Sequence, residues 1–248
     1  MRGKRKQLRV VGLAAAGVVV AVSVFLCVYD FGPEGKAKAD AEAYASRTSR
    51  VDAISRENEA FALYESARSL QTAGLHGEAI VKYKRVVSLK PDHVEAYLSL
   101  GSAYGHLGRY SDEVWAYKQL LAVKPDHADA YVGMGVAYSN LKQHHNSLAS
   151  LKRAVAIKPD LVYVHAAIGG SCGKLGLFTD AVAAYKKVIA LKPRDADAHV
   201  GMGMAYSALR QYAQAEAAFK KAIAINPNGK SAMFTRERLG KLAKRSEQ

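Results

Sequence analysis

The chain has 248 residues, half of them hydrophobic, and a formal net charge of +14. This length allows one or two ordinary domains with a sizeable core. The positive excess is densest in residues 1–9 and 230–245. Residues 60–229 carry 20 basic and 13 acidic side chains, a thin excess that is typical of a solvated surface. Nucleic-acid binding is therefore the less favoured alternative function.

The N-terminus pairs a basic tail, residues 1–9, with an uncharged run, residues 10–29. Twenty helical residues at about 1.5 Å each span about 30 Å, the hydrocarbon thickness of a bilayer. Tyr29 stands at the end of the run, where an interfacial aromatic belongs. The run predicts a single transmembrane helix. Basic flanks stay in the cytoplasm, so the remaining chain is expected outside it, in the periplasm of a bacterium.

A cleaved signal peptide is the alternative interpretation of this segment. Such signals have an apolar core of about 7–15 residues, followed closely by a small-x-small site. The candidate site, Ala37-Lys38-Ala39, lies well beyond the run and contains a lysine. We therefore favour an uncleaved anchor in the inner membrane over a soluble exported protein. Cys27 lies in the run and Cys172 in a predicted helix, so we expect no disulfide between them.

Residues 30–59 are predicted to form a linker or a helical stalk. From residue 36 the segment contains neither proline nor glycine, and Tyr44, Val51 and Ile54 fall roughly on one helical face. This pattern favours a stalk or an N-terminal cap leading into the next segment. Alanine-rich polar stretches also form loosely ordered linkers, which remains the alternative here.

A 34-residue period dominates the rest of the chain. Prolines recur at this spacing, and each follows a Lys or Asn and precedes an Asp, Arg or Asn. The prolines are Pro91, Pro125, Pro159, Pro193 and Pro227. With proline at position 32, five repeats follow: 60–93, 94–127, 128–161, 162–195 and 196–229. Proline ends a helix, and Asp92, Asp126, Asp160 and Asp195 are predicted to cap the next one.

Other positions of the repeat are also shared. Position 8 is small, as Ala67, Gly101, Gly135, Gly169 and Gly203, and position 24 is bulky, as Tyr83, Tyr117, Leu151, Tyr185 and Phe219. This combination resembles the tetratricopeptide repeat (TPR). The resemblance implies an all-α fold, a right-handed solenoid of five helix-turn-helix repeats without catalytic residues. Residues 230–248 are predicted to add a capping helix, with Ala232, Met233, Phe234, Leu239 and Leu242 as its apolar positions.

The resemblance also implies a binding groove lined by the first helix of each repeat. Its expected residues are small or apolar: Leu98, Ser99, Ser102, Val132, Gly133, Val136, Ala166, Ala167, Gly170, Val200, Gly201 and Met204. Glu95, Asp129 and Asp197 either form an acidic rim or complement the helix dipoles. The family's carboxylate clamp uses Lys, Asn and Arg at several of these positions, where this chain has Val132, Gly133, Ala166 and Ala167. We therefore expect an apolar or mildly basic peptide or helix as ligand.

Motifs of nucleotide binding and metal binding are missing from the chain, which has no P-loop, no HExxH and no CxxC. The adjacent His144 and His145 point to different helix faces, so we expect no metal site there. We predict a membrane-tethered scaffold for assembly of an envelope complex, with no cofactor, and expect His165 and His199 to pack between helices.

Overall fold

The computed structural model describes residues 33–246, which form eleven α-helices and no strand. The helices are α1 (Pro33–Thr72), α2 (His76–Leu89), α3 (Val94–His106), α4 (Tyr110–Val123), α5 (Ala128–Asn140), α6 (His144–Ile157), α7 (Val162–Lys174), α8 (Phe178–Leu191), α9 (Ala196–Ala208), α10 (Tyr212–Ile225) and α11 (Lys230–Ser246). Residues 1–32 lie outside the described range, and so does the predicted transmembrane helix at 10–29. Among the described residues, no helix is long and apolar enough to cross a bilayer.

The chain divides into two compact units, Met1–Arg56 and Glu57–Gln248. In the first unit, residues 33–56 are helical and belong to α1. The segment predicted as a stalk or loose linker is thus helical wherever it is described. The second unit is a stack of helical hairpins in which consecutive helices from α2 to α11 pack against one another. First helices of neighbouring repeats also meet, α3 with α5 and α7 with α9.

The second helix of each hairpin ends two residues before a proline. Lys90, Lys124 and Lys158 leave the helical region, with φ between −134° and −126° and ψ between 85° and 95°. A residue that precedes proline is forced into this extended conformation, because the ring clashes with a helical neighbour. The periodic prolines therefore set the length of α2, α4, α6, α8 and α10.

The next helix is capped by position 34 of the repeat, one residue later than most of the predicted aspartates. His93 and His127 accept hydrogen bonds through Nδ1 from Ala96 N at 3.3 Å and Ala130 N at 3.2 Å. The prediction was therefore wrong for Asp92, Asp126 and Asp160, which stand one residue too early. It was correct for Asp195, whose Oδ1 accepts from Ala198 N at 2.9 Å.

Glycine and a ring pack the second, fourth and fifth hairpins, and the rings of the second and fourth also join their hairpin to the next repeat. Tyr117 of α4 lies between Gly101 of its own repeat and Gly133 of the following one. A Cβ on Gly101 would come within 2.6 Å of the Tyr117 ring, and one on Gly133 would come closer still. Glycine is required because the ring occupies the space of a side chain. In the third repeat Leu151 replaces the ring, and the following repeat has Ala167 in place of glycine.

The last helix, α11, covers the end of the stack with some of the predicted residues and with one that was not predicted. Ala232 and Thr235 are buried, and Leu239 packs against the cluster around Phe219. Met233 is 77% exposed, so its prediction as a covering residue was wrong, and Phe234 is also exposed. The buried threonine satisfies its hydroxyl within the helix by donating to Ser231 O at 2.6 Å.

Candidate functional site

The predicted groove residues occupy repeat positions 5, 6 and 9 of α3, α5, α7 and α9. These three positions differ in exposure. Position 9 is the most exposed to solvent. Val136 is 46% and Met204 is 47% exposed, Gly170 is exposed and Ser102 is half-buried. These four residues come from four successive repeats, one from each first helix. We call them the position-9 row.

Position 5 belongs partly to the core. Val132 and Val200 are only 9% and 8% exposed and pack within hydrophobic clusters. Each fills the space between its own helix and a neighbour, so each offers little surface to a ligand. Leu98 and Ala166 at the same position are half-buried, so each shows part of its surface.

Position 6 is small for a packing reason rather than to leave room for a ligand. Gly133 and Gly201 lie against the rings of Tyr117 and Tyr185, which come from the preceding repeat. A Cβ at either glycine would overlap the ring. Ser99 and Ala167 hold this position in the other two repeats and are half-buried.

A cleft of about 360 Å³ opens beside the position-9 row, between α5, α6 and α7. Val136, Ala167 and Gly170 line it, together with Leu151. Leucine here is smaller than the tyrosine found at this position in three other repeats, so the cleft lies where the chain lacks a ring. Apart from Gly135, the remaining lining residues are polar: Ser139, Asn140, Lys142, His144, Ser147, Ser171 and Lys174.

Acidic residues near the first helices have partners within the chain. Asp129 accepts from Lys158 Nζ at 3.2 Å, and Asp197 accepts from Ser231 Oγ at 3.1 Å. Glu95 lies 3.3 Å from His93 Nδ1. All three side chains stand in the first turn of a helix. We expected these carboxylates either to form an acidic rim or to complement the helix dipoles. Their positions fit the second expectation.

Two buried ionisable groups lie under the groove. Glu113 of α4 is 6% exposed and packs against Gly105, and its burial raises the pKa of the carboxyl to about 7. Tyr117, one turn later, has its pKa raised by burial and then by the charge of Glu113. Position 20 is alanine in three other repeats and serine in the fourth. Glu113 is therefore an exception in a position that packing keeps small.

Histidines and the described cysteine do not assemble into a reactive centre. Cys172 is buried, and burial raises the pKa of its thiol, which keeps it protonated. His199 is 7% exposed, as expected from its core position. His165 is half-buried, with Nε2 2.7 Å from Pro159 O. Between residues 33 and 246, no group of three or more His, Cys, Asp or Glu could hold a metal ion.

Comparison with known families identifies the class. Models described as tetratricopeptide repeat match residues 94–127, 128–161 and 196–228, and one described as TPR repeat matches 74–108 and 171–209. Together these matches cover more than half of the chain, which therefore belongs to the tetratricopeptide-repeat proteins. No curated protein sequence matches the chain.

Solved structures share the same architecture. A crystal structure of MamA is 26% identical, covering 72% of this chain and 96% of MamA with a TM-score of 0.67. A second MamA structure is 27% identical, with coverages of 65% and 94% and a TM-score of 0.63. YrrB, described as a TPR protein with an unusual peptide-binding site, is 22% identical, covering 75% of this chain and 97% of YrrB, with a TM-score of 0.68. At 22% identity, the likeness to YrrB concerns the fold.

Proposed function

We propose that this protein is a scaffold that holds a segment of another protein against the first helices of its repeats. The position-9 row carries the proposal. One small or apolar residue from each of four repeats faces solvent, and Val136 and Met204 leave nearly half of their surface uncovered. An extended or helical peptide that crosses successive repeats would bury this surface. The fold is able to present a peptide site, since YrrB is described as having one.

The cleft favours an apolar side chain as the anchor of that ligand. Leu151, Ala167 and Gly170 are among its lining residues, and so are Lys142 and Lys174. Two lysines would repel a basic side chain at this point. We therefore narrow the expected ligand to an apolar segment, with any basic residue placed away from the cleft.

We further propose that residues 10–29 tether this scaffold to the inner membrane. The basic tail would lie in the cytoplasm, and the repeats would face the periplasm and help to assemble an envelope complex. The support is the uncharged run with its basic flank. N-terminal sequencing of the mature protein and alkaline extraction of membranes test this arrangement. An intact N-terminus in the membrane pellet is expected, and a start near Asp40 in the soluble fraction would overturn it.

The groove is tested by adding charge to the position-9 row. Val136→Arg combined with Met204→Arg should abolish capture of partners from detergent extracts of the native membrane. Both residues are exposed, so the repeats should still fold. Val81→Arg is the matched control, because Val81 is 69% exposed on the second helix of its repeat. If the double variant captures the same proteins as the wild type and the control, the groove is not the binding site.

A further inference from the structure

α1 carries an apolar stripe that no described part of the chain covers. It consists of Tyr44, Val51, Ile54 and Phe61, which are 71%, 64%, 51% and 67% exposed. The intervals are seven, three and seven residues, as for the core positions of a heptad repeat. At about 100° per residue, the four side chains fall within an arc of about 100°. We name these residues the α1 stripe.

Two polar residues complete the heptad pattern. Arg47 follows Tyr44 by three residues, and Asn58 precedes Phe61 by three. The six core positions from 44 to 61 therefore read Tyr, Arg, Val, Ile, Asn and Phe. Polar residues at core positions weaken a helix pair but select its register and orientation. Their placement thus indicates which partner the stripe fits.

We infer that the α1 stripe pairs with the same stripe of a second copy of this chain, with the two helices antiparallel. The core positions of a heptad are of two kinds, a and d, which alternate along the helix. In an antiparallel pair, each a position of one helix faces a d position of the other. Val51 would face the second copy's Ile54, and Tyr44 would face the second copy's Phe61. Arg47 would face the second copy's Asn58. Each of these facing pairs then occurs twice in the dimer, as an interface with a two-fold axis requires.

The charges near the α1 stripe favour an antiparallel pair over a parallel one. Antiparallel packing brings Arg50 next to the second copy's Glu57, and the symmetry repeats this pair. Parallel packing would place Arg47 against the second copy's Arg47 in the core, and buried like charges are unfavourable. Glu57 also pairs with Lys90 at 3.1 Å, yet its side chain remains 68% exposed and can face a second basic group.

Site-specific cross-linking of the full chain tests the orientation. Thr48 and Ser55 are exposed and flank the stripe on one side, so neither is needed for packing. In antiparallel helices Thr48 lies beside the second copy's Ser55. Two chains, each with Cys27→Ser and one carrying Thr48→Cys and the other Ser55→Cys, are mixed in detergent. A short bis-maleimide reagent should link the mixture but not the Thr48→Cys chain alone. Adding Val51→Asp to both chains should abolish the link.

Two outcomes would overturn the inference. One is a linked product from the Thr48→Cys chain alone at the yield of the mixture, and the other is no linked product from the mixture. Circular dichroism of each variant shows that the repeats remain folded, so a missing product reflects the stripe.

Charge reversal provides a second, independent test. A chain with Arg50→Glu and a chain with Glu57→Arg should each lose the dimer seen for the wild type by sedimentation at the same concentration. Mixing them should restore it, because each new charge then meets an opposite one. If the mixture stays as monomeric as the separate chains, the two groups do not face each other. Glu57→Arg also removes the ion pair with Lys90, and the unfolding midpoint of that variant measures this effect separately.

Discussion

At the scale of single residues, the turn between the two helices of each repeat depends on one left-handed position. Gly74, Gly108 and Gly176 hold it with φ between 68° and 79°, whereas Lys142 and Arg210 adopt φ of 61° and 59°. A side chain in this conformation costs about 1–2 kcal/mol, because Cβ crowds the following carbonyl. The third and fifth repeats therefore carry a local strain that the other three avoid.

Arg210→Gly should raise the free energy of unfolding by about 1 kcal/mol, because it relieves this strain. Gly176→Ala, at the same position of the fourth repeat, should lower it by about 1 kcal/mol. Both are measured by urea unfolding followed by circular dichroism. Equal stabilities for the two variants would show that this turn does not depend on glycine.

Glu113 makes the stability of the second repeat depend on pH. Its carboxyl has a pKa of about 7 when folded and 4.5 as the ordinary value. The folded state therefore binds the proton more tightly. The resulting stabilisation is present below pH 4.5 and is lost as the pH rises through about 7. Above that range, folding buries a charged carboxylate.

Glu113→Gln keeps the size of the side chain and removes this titration. We compare the free energy of unfolding of the variant with that of the wild type at each pH. The difference between them should shift in favour of the variant by up to about 2.5 kcal/mol between pH 5 and pH 8. Unfolding is followed by the fluorescence of Trp115, the single tryptophan, which lies on the same helix. A difference between variant and wild type that does not change with pH would contradict the assignment.

At the scale of the helices, two of the junctions between repeats are made by rings that need glycine on both sides. Gly133→Ala should lower the free energy of unfolding by about 1–3 kcal/mol, since its Cβ would overlap the ring of Tyr117. Gly173→Ala is the matched control, because a Cβ there meets no atom within 4 Å. This control should be neutral or stabilising by up to about 1 kcal/mol, as alanine favours a helix. Equal destabilisation by both would refute the packing argument.

The sequence predicted those parts of the fold that depend on local chemistry. Prolines at a fixed spacing mark the helix ends because proline acts on its immediate neighbour. Contacts between helices were harder to predict. Val132 and Val200 looked like groove residues, since position alone does not show how closely a neighbouring helix approaches. The recurring glycine at position 6 was the available signal, because an otherwise unfavourable helix residue implies a ring packed against it. The caps at His93 and His127 were missed because histidine is not a usual N-cap.

At the scale of the whole molecule, a stack of repeats must close its exposed end. α11 does this for the fifth repeat with Ala232, Thr235 and Leu239. A chain that stops at Gly229 should unfold at lower urea concentration than the full chain and should aggregate, since the cluster around Phe219 would lose its cover. Light scattering and circular dichroism measure both effects. The control stops after Gly240, which keeps these three residues, and unchanged behaviour of the shorter chain would show that α11 does not act as a cap.

Leu151 has a consequence for how the array comes apart. Tyrosine rings join the second repeat to the third and the fourth to the fifth, whereas leucine and alanine meet at the junction between the third and the fourth. In a linear array each junction contributes its own coupling energy, so unfolding begins where this energy is smallest. Hydrogen exchange should therefore show two cooperative blocks separated at this junction. Leu151→Tyr with Ala167→Gly should merge them into one and close the cleft. In the wild type, a ligand seated in that cleft would act as the missing ring. It would couple two halves that otherwise open independently.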